Sequence, residues 1–213
     1  MREEIIKDIQ LALELHQGFF HNEKEIQIYL SNYLINTKKF DNVFYEYYVN
    51  INLIPNYIWN NNNKLSIDIV LLKENTYYPI EIKYKTRSQI LPHFVFGTLT
   101  NVALENHAAQ TLGRYSYWKD IKRMELLEET FQNVSQGIVL FVTNDSSYIQ
   151  APLNQQNGGA PFSIHQGKVV NQNEFLNWNA ELAVAINNPG FQLSRNYNIN
   201  WNVMNIENHQ YII

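Results

Sequence analysis

Two short apolar runs, residues 65–72 (LSIDIVLL) and 78–84 (YPIEIKY), flank a polar turn, and each carries charge at its centre. Asp68 interrupts the first run; Glu81 and Lys83, two residues apart, interrupt the second. Burying a charge is costly unless it is paired or bound to a metal, so this pattern constrains both the strand pairing and the chemistry. An even-length loop centred between Glu74 and Asn75 sets Asp68 directly opposite Glu81. Opposed residues of an antiparallel pair hold their Cβ atoms roughly 4.5–5.5 Å apart on one face. Lys83 shares that face, because side chains alternate with period two. Ile67, Ile69 and Leu71 then share the other face with Ile80, Ile82 and Tyr84. A slip of one residue would bury the charges, so the hydrophobic pattern selects the register that clusters Asp68, Glu81 and Lys83.

Two neighbouring carboxylates repel unless a cation lies between them, and an all-oxygen donor set suits Mg²⁺ or Mn²⁺. The chain has no cysteine, and its six histidines show no HxxxH or HExxH spacing, which argues against zinc. A divalent ion on Asp68 and Glu81 would grip a phosphate oxygen and lower the pKa of a bound water. Lys83 beside it would orient that water or neutralise charge developing on the phosphate. These parts suit hydrolysis of a phosphodiester.

The D…ExK arrangement of Asp68, Glu81 and Lys83 resembles the PD-(D/E)xK nuclease superfamily, whose fold is restriction-endonuclease-like; Ile67 stands where the family's proline often precedes the first acid. The resemblance implies a Mg²⁺- (or Mn²⁺-) dependent nuclease acting on DNA, with RNA left open. It implies the backbone carbonyl of Ile82 as a further metal ligand. It also implies an acidic ligand from the helix before the strands, Glu25 ahead of Glu23, although Glu in a first helical turn also answers the helix dipole. A subgroup carries a QxxxY motif on the helix after the hairpin. Here Gln110 is followed at plus four by Arg114, with Tyr115 one place late. Gln110 and Arg114, one helical turn apart, are candidate nucleic-acid contacts. Lys85 joins them in the densest basic region, with Arg87, Lys119, Lys122 and Arg123. The stretch 119–129 carries both signs and reads as a solvated surface; Glu46, which interrupts residues 43–49 (VFYEYYV), reads the same way. A homodimer is left open by analogy with nucleases that cut both strands.

At 213 residues and 45% hydrophobic content, one domain is the simplest organisation. Apolar spacing predicts helices over 3–16, ended by Gly18, and from Asn22 through Leu34. A strand over 43–49, the hairpin, a long helix over 103–130 and a buried strand over 137–143 follow. The fold class is therefore α/β, and the order αβββαβ over about residues 20–145 matches the restriction-endonuclease-like core, a resemblance that implies a mixed central sheet flanked by helices. Residues 146–213 read as α/β additions, with loops at 60–63 and 155–161, a helix over 173–187 capped by Asn173, and strands at 198–203 and 210–213. No run of 18 apolar residues crosses a membrane, and the N-terminus lacks a signal-peptide core, so a cytoplasmic location is expected. A net charge of −4 argues against indiscriminate nucleic-acid binding. No Gly-rich phosphate loop, GxSxG elbow or Ser-His-Asp spacing supports another enzyme class. The rival reading is a catalytically weak or inactive nucleic-acid-binding or interaction module on the same fold, which a charge pair locking Lys83 to carboxylates would favour.

Overall fold

The computed structural model describes residues 1–59, 63–154, 156–180, 183–206 and 209–212, with backbone alone for 204–206 and 209–212. Two helices come first, α1 (Arg2–Leu15) and α2 (Glu23–Asn36). In α1 the residues Ile5, Ile9, Ala12 and Leu13 recur at helical spacing and are buried. The helix ends three residues before Gly18, whose φ of +92° suits glycine. The side chain of Asn22 caps α2 by accepting the Glu25 backbone N–H.

Next come β1 (Asn42–Asn50), β2 (Lys64–Lys73), β3 (Thr76–Lys85), β4 (Ile90–Val95) and β5 (Thr98–Ala103). Helix α3 (Gln110–Thr130) and β6 (Ile138–Thr143) complete the main elements. The sheet is mixed: β1–β2 and β2–β3 are antiparallel, and β3–β6 is parallel. Beyond it lie short pieces: β7 (Val169–Val170), β8 (Phe175–Leu176), α4 (Ala183–Asn187), β9 (Phe191–Gln192) and β10 (Tyr197–Asn198). A final hairpin of β11 (Val203–Ile206) and β12 (His209–Ile212) joins the edge of β6 at Thr143.

Helices α1 and α2 cover one face of the sheet, and Ile69, Leu71, Ile80, Ile82 and Tyr84 pack with their apolar stripes. Helix α3 covers the other face. Phe162, Ile164, Val170, Leu176, Trp178, Phe191, Leu193 and Ile199 from the C-terminal third join the α3 cluster, so that segment shares its core.

Several expectations are corrected. The segment before α3 is not helical from 103; residues 90–103 form the β4–β5 hairpin, and α3 starts at Gln110. Ala103 ends β5 and residues 104–109 carry no regular structure, so Ala103, Leu104 and Ala108 precede the helix instead of belonging to it. The helix expected over 173–187 is reduced to Ala183–Asn187, with β8 inside the expected span and Asn173 in a turn at φ +65°. The expected loops at 60–63 and 155–161, and the last position of the 210–213 strand, fall partly outside the described residues.

Candidate functional site

The β2–β3 turn is two residues long, Glu74 and Asn75, both at positive φ. That is the geometry of a tight hairpin turn whose twist matches the strands. The pairing runs from Lys73↔Thr76 to Ile69↔Ile80. Continued by one step, this register sets Asp68 opposite Glu81. There the ladder stops, and the two acids replace it. Asp68 Oδ2 accepts the Ile82 backbone N–H at 2.7 Å. The Asp68 backbone N–H reaches Glu81 Oε2 at 3.4 Å.

The interruption extends to β1. Its ladder with β2 runs to Tyr45↔Ile69 and resumes at Tyr47↔Ile67, skipping Glu46 and Asp68. Glu46 sits at φ +44°. Across this point both strands change phase. Leu65 and Ile67 pack on the α3 face, whereas Ile69 and Leu71 pack on the α1/α2 face. Ile67 was expected beside Ile69; β2 changes phase at Asp68, opposite Glu46, which puts Ile67 on the other face.

On the α3 face, Glu81 is almost fully buried. Arg123 Nη1 lies 3.3 Å from Glu81 Oε1 and also holds Asp120. Lys83 Nζ lies 3.0 Å from Asp120 Oδ2 and 3.8 Å from Glu81 Oε1, and donates to the Ile82 carbonyl at 3.3 Å. Asp120 is 0% exposed. Three acids and two cations thus meet in a nearly dry space between β2, β3 and α3.

The electrostatics follow from that crowding. Burial, with the Asp120 charge next, pushes the Glu81 carboxyl up to about 8. Burial, helped by Glu23 and Glu46 against the Ile82 hydrogen bond and Lys83, pushes Asp68 up to about 6. Burial alone would lower Lys83, but Asp120 and Glu81 hold it above its ordinary value. Arg123 is raised against burial by the same two acids. Lys119, at the rim, is lowered by burial and by Arg123.

The structure therefore brings Asp68, Glu81, Ile82 and Lys83 together and leaves Glu25, Gln110 and Arg114 apart. Glu25 turns away: its carboxylate accepts the His21 backbone N–H at 2.6 Å and meets the His21 ring at 2.9 Å. Glu23 is the α2 acid on the site side, accepting the Tyr84 N–H at 2.8 Å. One position along a helix is a rotation of about 100°, which sequence order alone does not resolve. Gln110 and Arg114 tie the start of α3 to the loop after β6, through Asp145 and the Ser147 carbonyl. Gln110 lies about 15 Å and Arg114 about 9 Å along the helix from Asp120. Lys85 ends β3 in register with Thr143. Tyr115 is a core residue that donates to the Pro189 carbonyl. Glu46 is not simply solvated: it is bonded to Lys24, Gln27 and Ser66, and Gln27 in turn donates to the Asp68 carbonyl.

Asp120 and Arg123 were missed because 119–129 was expected to be a solvated surface. Asp120, Arg123 and Glu125 are instead buried. A signal was present: opposite charges at i and i+3 interleave with Trp118, Ile121, Met124 and Leu127, all core residues.

The donor chemistry fits a hard divalent cation: two carboxylates and the Ile82 carbonyl, all oxygen. Both acids disfavour their charged forms where they lie, a condition a bound cation relieves. Among the described residues no three His, Cys, Asp or Glu side chains are arranged to hold a metal ion, so such a site would rest on Asp68, Glu81 and that carbonyl. No family model, curated protein or solved structure matches the chain. No described helix is long and apolar enough to cross a membrane.

Proposed function

We propose that this chain is a divalent-metal-dependent nuclease hydrolysing DNA phosphodiesters, on a restriction-endonuclease-like αβββαβ core. One observation carries the reading: the hairpin register sets Asp68 against Glu81 where the ladder opens, with Lys83 on the same face. Asp68, Glu81 and the Ile82 carbonyl would hold Mg²⁺ or Mn²⁺. When bound, the ion supplies Lewis-acid activation of a phosphate oxygen and of a water. Lys83 would place its ammonium against the phosphate and balance charge that develops there. Asp120 holds Lys83, and Arg123 holds Glu81, so α3 positions both.

A second reading has its own observation. The pairs Lys83–Asp120, Lys83–Glu81 and Arg123–Glu81 close the cluster on itself, as in a binding module without catalysis. The deciding experiment is degradation of plasmid and single-stranded DNA with Mg²⁺, Mn²⁺ or EDTA, comparing wild type with Glu81→Ala and Lys83→Ala. The nuclease reading expects cleavage that needs metal and is lost in both variants. Cleavage unchanged by both substitutions, or absent under every condition, overturns it.

A further inference from the structure

The β4–β5 hairpin is a two-stranded sheet of its own between the site strand β3 and α3. It turns at Phe96 and Gly97, both at positive φ, and its register sorts its side chains into two faces. Leu91, His93 and Val95 share a face with Val102, Thr100 and Thr98. Leu91 and Val102 on that face pack into the α1/α2 core, and His93 sits against Phe19 and His21. The opposite face carries Ile90, Pro92 and Phe94 across from Ala103, Asn101 and Leu99.

That outer face points to water, yet it is apolar except for Asn101. Ile90 is 70% exposed, Phe94 65% and Leu99 60%, and Phe96 at the tip is fully exposed. A ribbon with one face on the core ordinarily presents polar residues outward, and a contiguous exposed apolar patch marks an interaction surface. From Ser88 to Leu104 the sequence holds no Asp, Glu, Lys or Arg. Nucleic-acid binding draws its affinity from cations against phosphates, and this face offers none. The matching surface is another uncharged apolar one.

We propose that the outer face of the β4–β5 ribbon is a homodimer interface whose partner is the same ribbon of a second copy. A two-fold axis through the middle of the face, between Pro92 and Asn101, is self-complementary. It lays the bulky Phe94/Leu99 end of one copy on the Ile90/Ala103 end of the other, so a large pair meets a smaller one. It also sets the single polar residue, Asn101, near its own copy at the axis, where two amides hydrogen-bond to each other. Covering Ile90, Phe94 and Leu99, each 60–70% exposed, removes their apolar area from water on both protomers, a contribution toward the roughly 800 Å² per partner of a standard interface.

The test is sedimentation of the full-length chain over a concentration series, for wild type, Phe94→Ser/Leu99→Ser and Ile90→Lys. All three positions are solvent-exposed, and circular dichroism with a thermal melt checks that each variant folds. Wild type is expected at twice its 25.1 kDa mass, with the dimer dissociation constant raised at least about thirtyfold in each folded variant. A monomeric wild type overturns the proposal, as does a dimer that survives both variants. A monomer whose DNA affinity drops in Phe94→Ser/Leu99→Ser also overturns it, in favour of a nucleic-acid wedge. The result is independent of whether the chain cleaves DNA.

Discussion

Helix α3 buries two ionic clusters little more than one turn apart, and they are built on opposite plans. At Glu125 every donor converges on one acid. Its two oxygens accept the Ser194 backbone N–H at 2.9 and 3.0 Å, Lys122 at 3.0 Å and the Tyr197 hydroxyl at 2.9 Å. This carboxylate anchors the C-terminal segment to the helix. At Asp120 the balance is reversed: Asp68, Glu81 and Asp120 crowd against Lys83 and Arg123. Glu81 is pushed up to about 8 there, by burial first and Asp120 second. A buried acid that is fully donated to serves the fold. Buried acids that repel one another carry raised carboxyl pKa values, a pattern that clusters at functional sites.

The contrast can be broken most severely at the anchor. Glu125→Ala leaves Lys122 and the Ser194 N–H without their acid, so about 3 kcal/mol of stability or more should be lost. Urea unfolding measures it, and any metal-dependent cleavage per folded molecule should persist. Glu81→Ala and Lys83→Ala should do the reverse. Cleavage should fall by about a hundredfold or more, while the melting temperature moves less than in Glu125→Ala. If the anchor substitution abolished cleavage in folded protein and the site substitutions did not, the assignment of roles would be inverted.

A smaller effect sharpens the comparison through pH. Glu81 is raised in the folded chain from 4.5 to about 8. Between those values the folded state keeps a proton that the unfolded state has released. Metal-free stability should therefore fall as pH rises across that window. Mg²⁺ should offset the loss, so its stabilising effect should be larger at pH 8 than at pH 5.5. Thermal melts in EDTA and in Mg²⁺ at both values test this, and a Mg²⁺ effect that shrank as pH rose would refute it. Glu81→Gln should flatten the metal-free slope.

The smallest effect is expected at Asp145, another buried acid, whose carboxylate accepts from Ser147 N–H and Gln110 and pairs with Arg87. Burial alone would raise it, but those donors hold it below the ordinary range. Its contribution is present above the unfolded value and is lost as pH falls through the folded one, the opposite sign to Glu81. Asp145→Asn should cost about 1 kcal/mol at pH 7, and the difference from wild type should shrink in urea titrations as pH falls below the ordinary carboxylate range.

The local parts of this molecule were legible in its residues. The alternation of Ile69, Leu71, Ile80 and Ile82, with the turn at Glu74–Asn75, specified the hairpin register, because period-two burial tolerates no slip. The helical stripe of α1 and the cap at Asn22 were equally readable. The rest was not, because it depends on contacts between segments far apart in sequence. Nothing near Ile67 announces that the backbone at Glu46 changes phase, nor does anything beside Glu25 say which α2 acid faces β3. The β4–β5 hairpin had no assignment from the sequence apart from Ala103, since six-residue apolar strands carry too little periodicity to decide.

What the sequence determined alone was a pair of strands that must meet with Asp68, Glu81 and Lys83 close together, since hydrophobic side chains admit one register. Tertiary structure decided what surrounds them. Asp120 and Arg123 became partners of that trio, rather than a solvated surface, only because α3 lies over the face of β3 that carries Glu81 and Lys83. Burial and long-range charge are properties of the packed layers, and no local pattern encodes them.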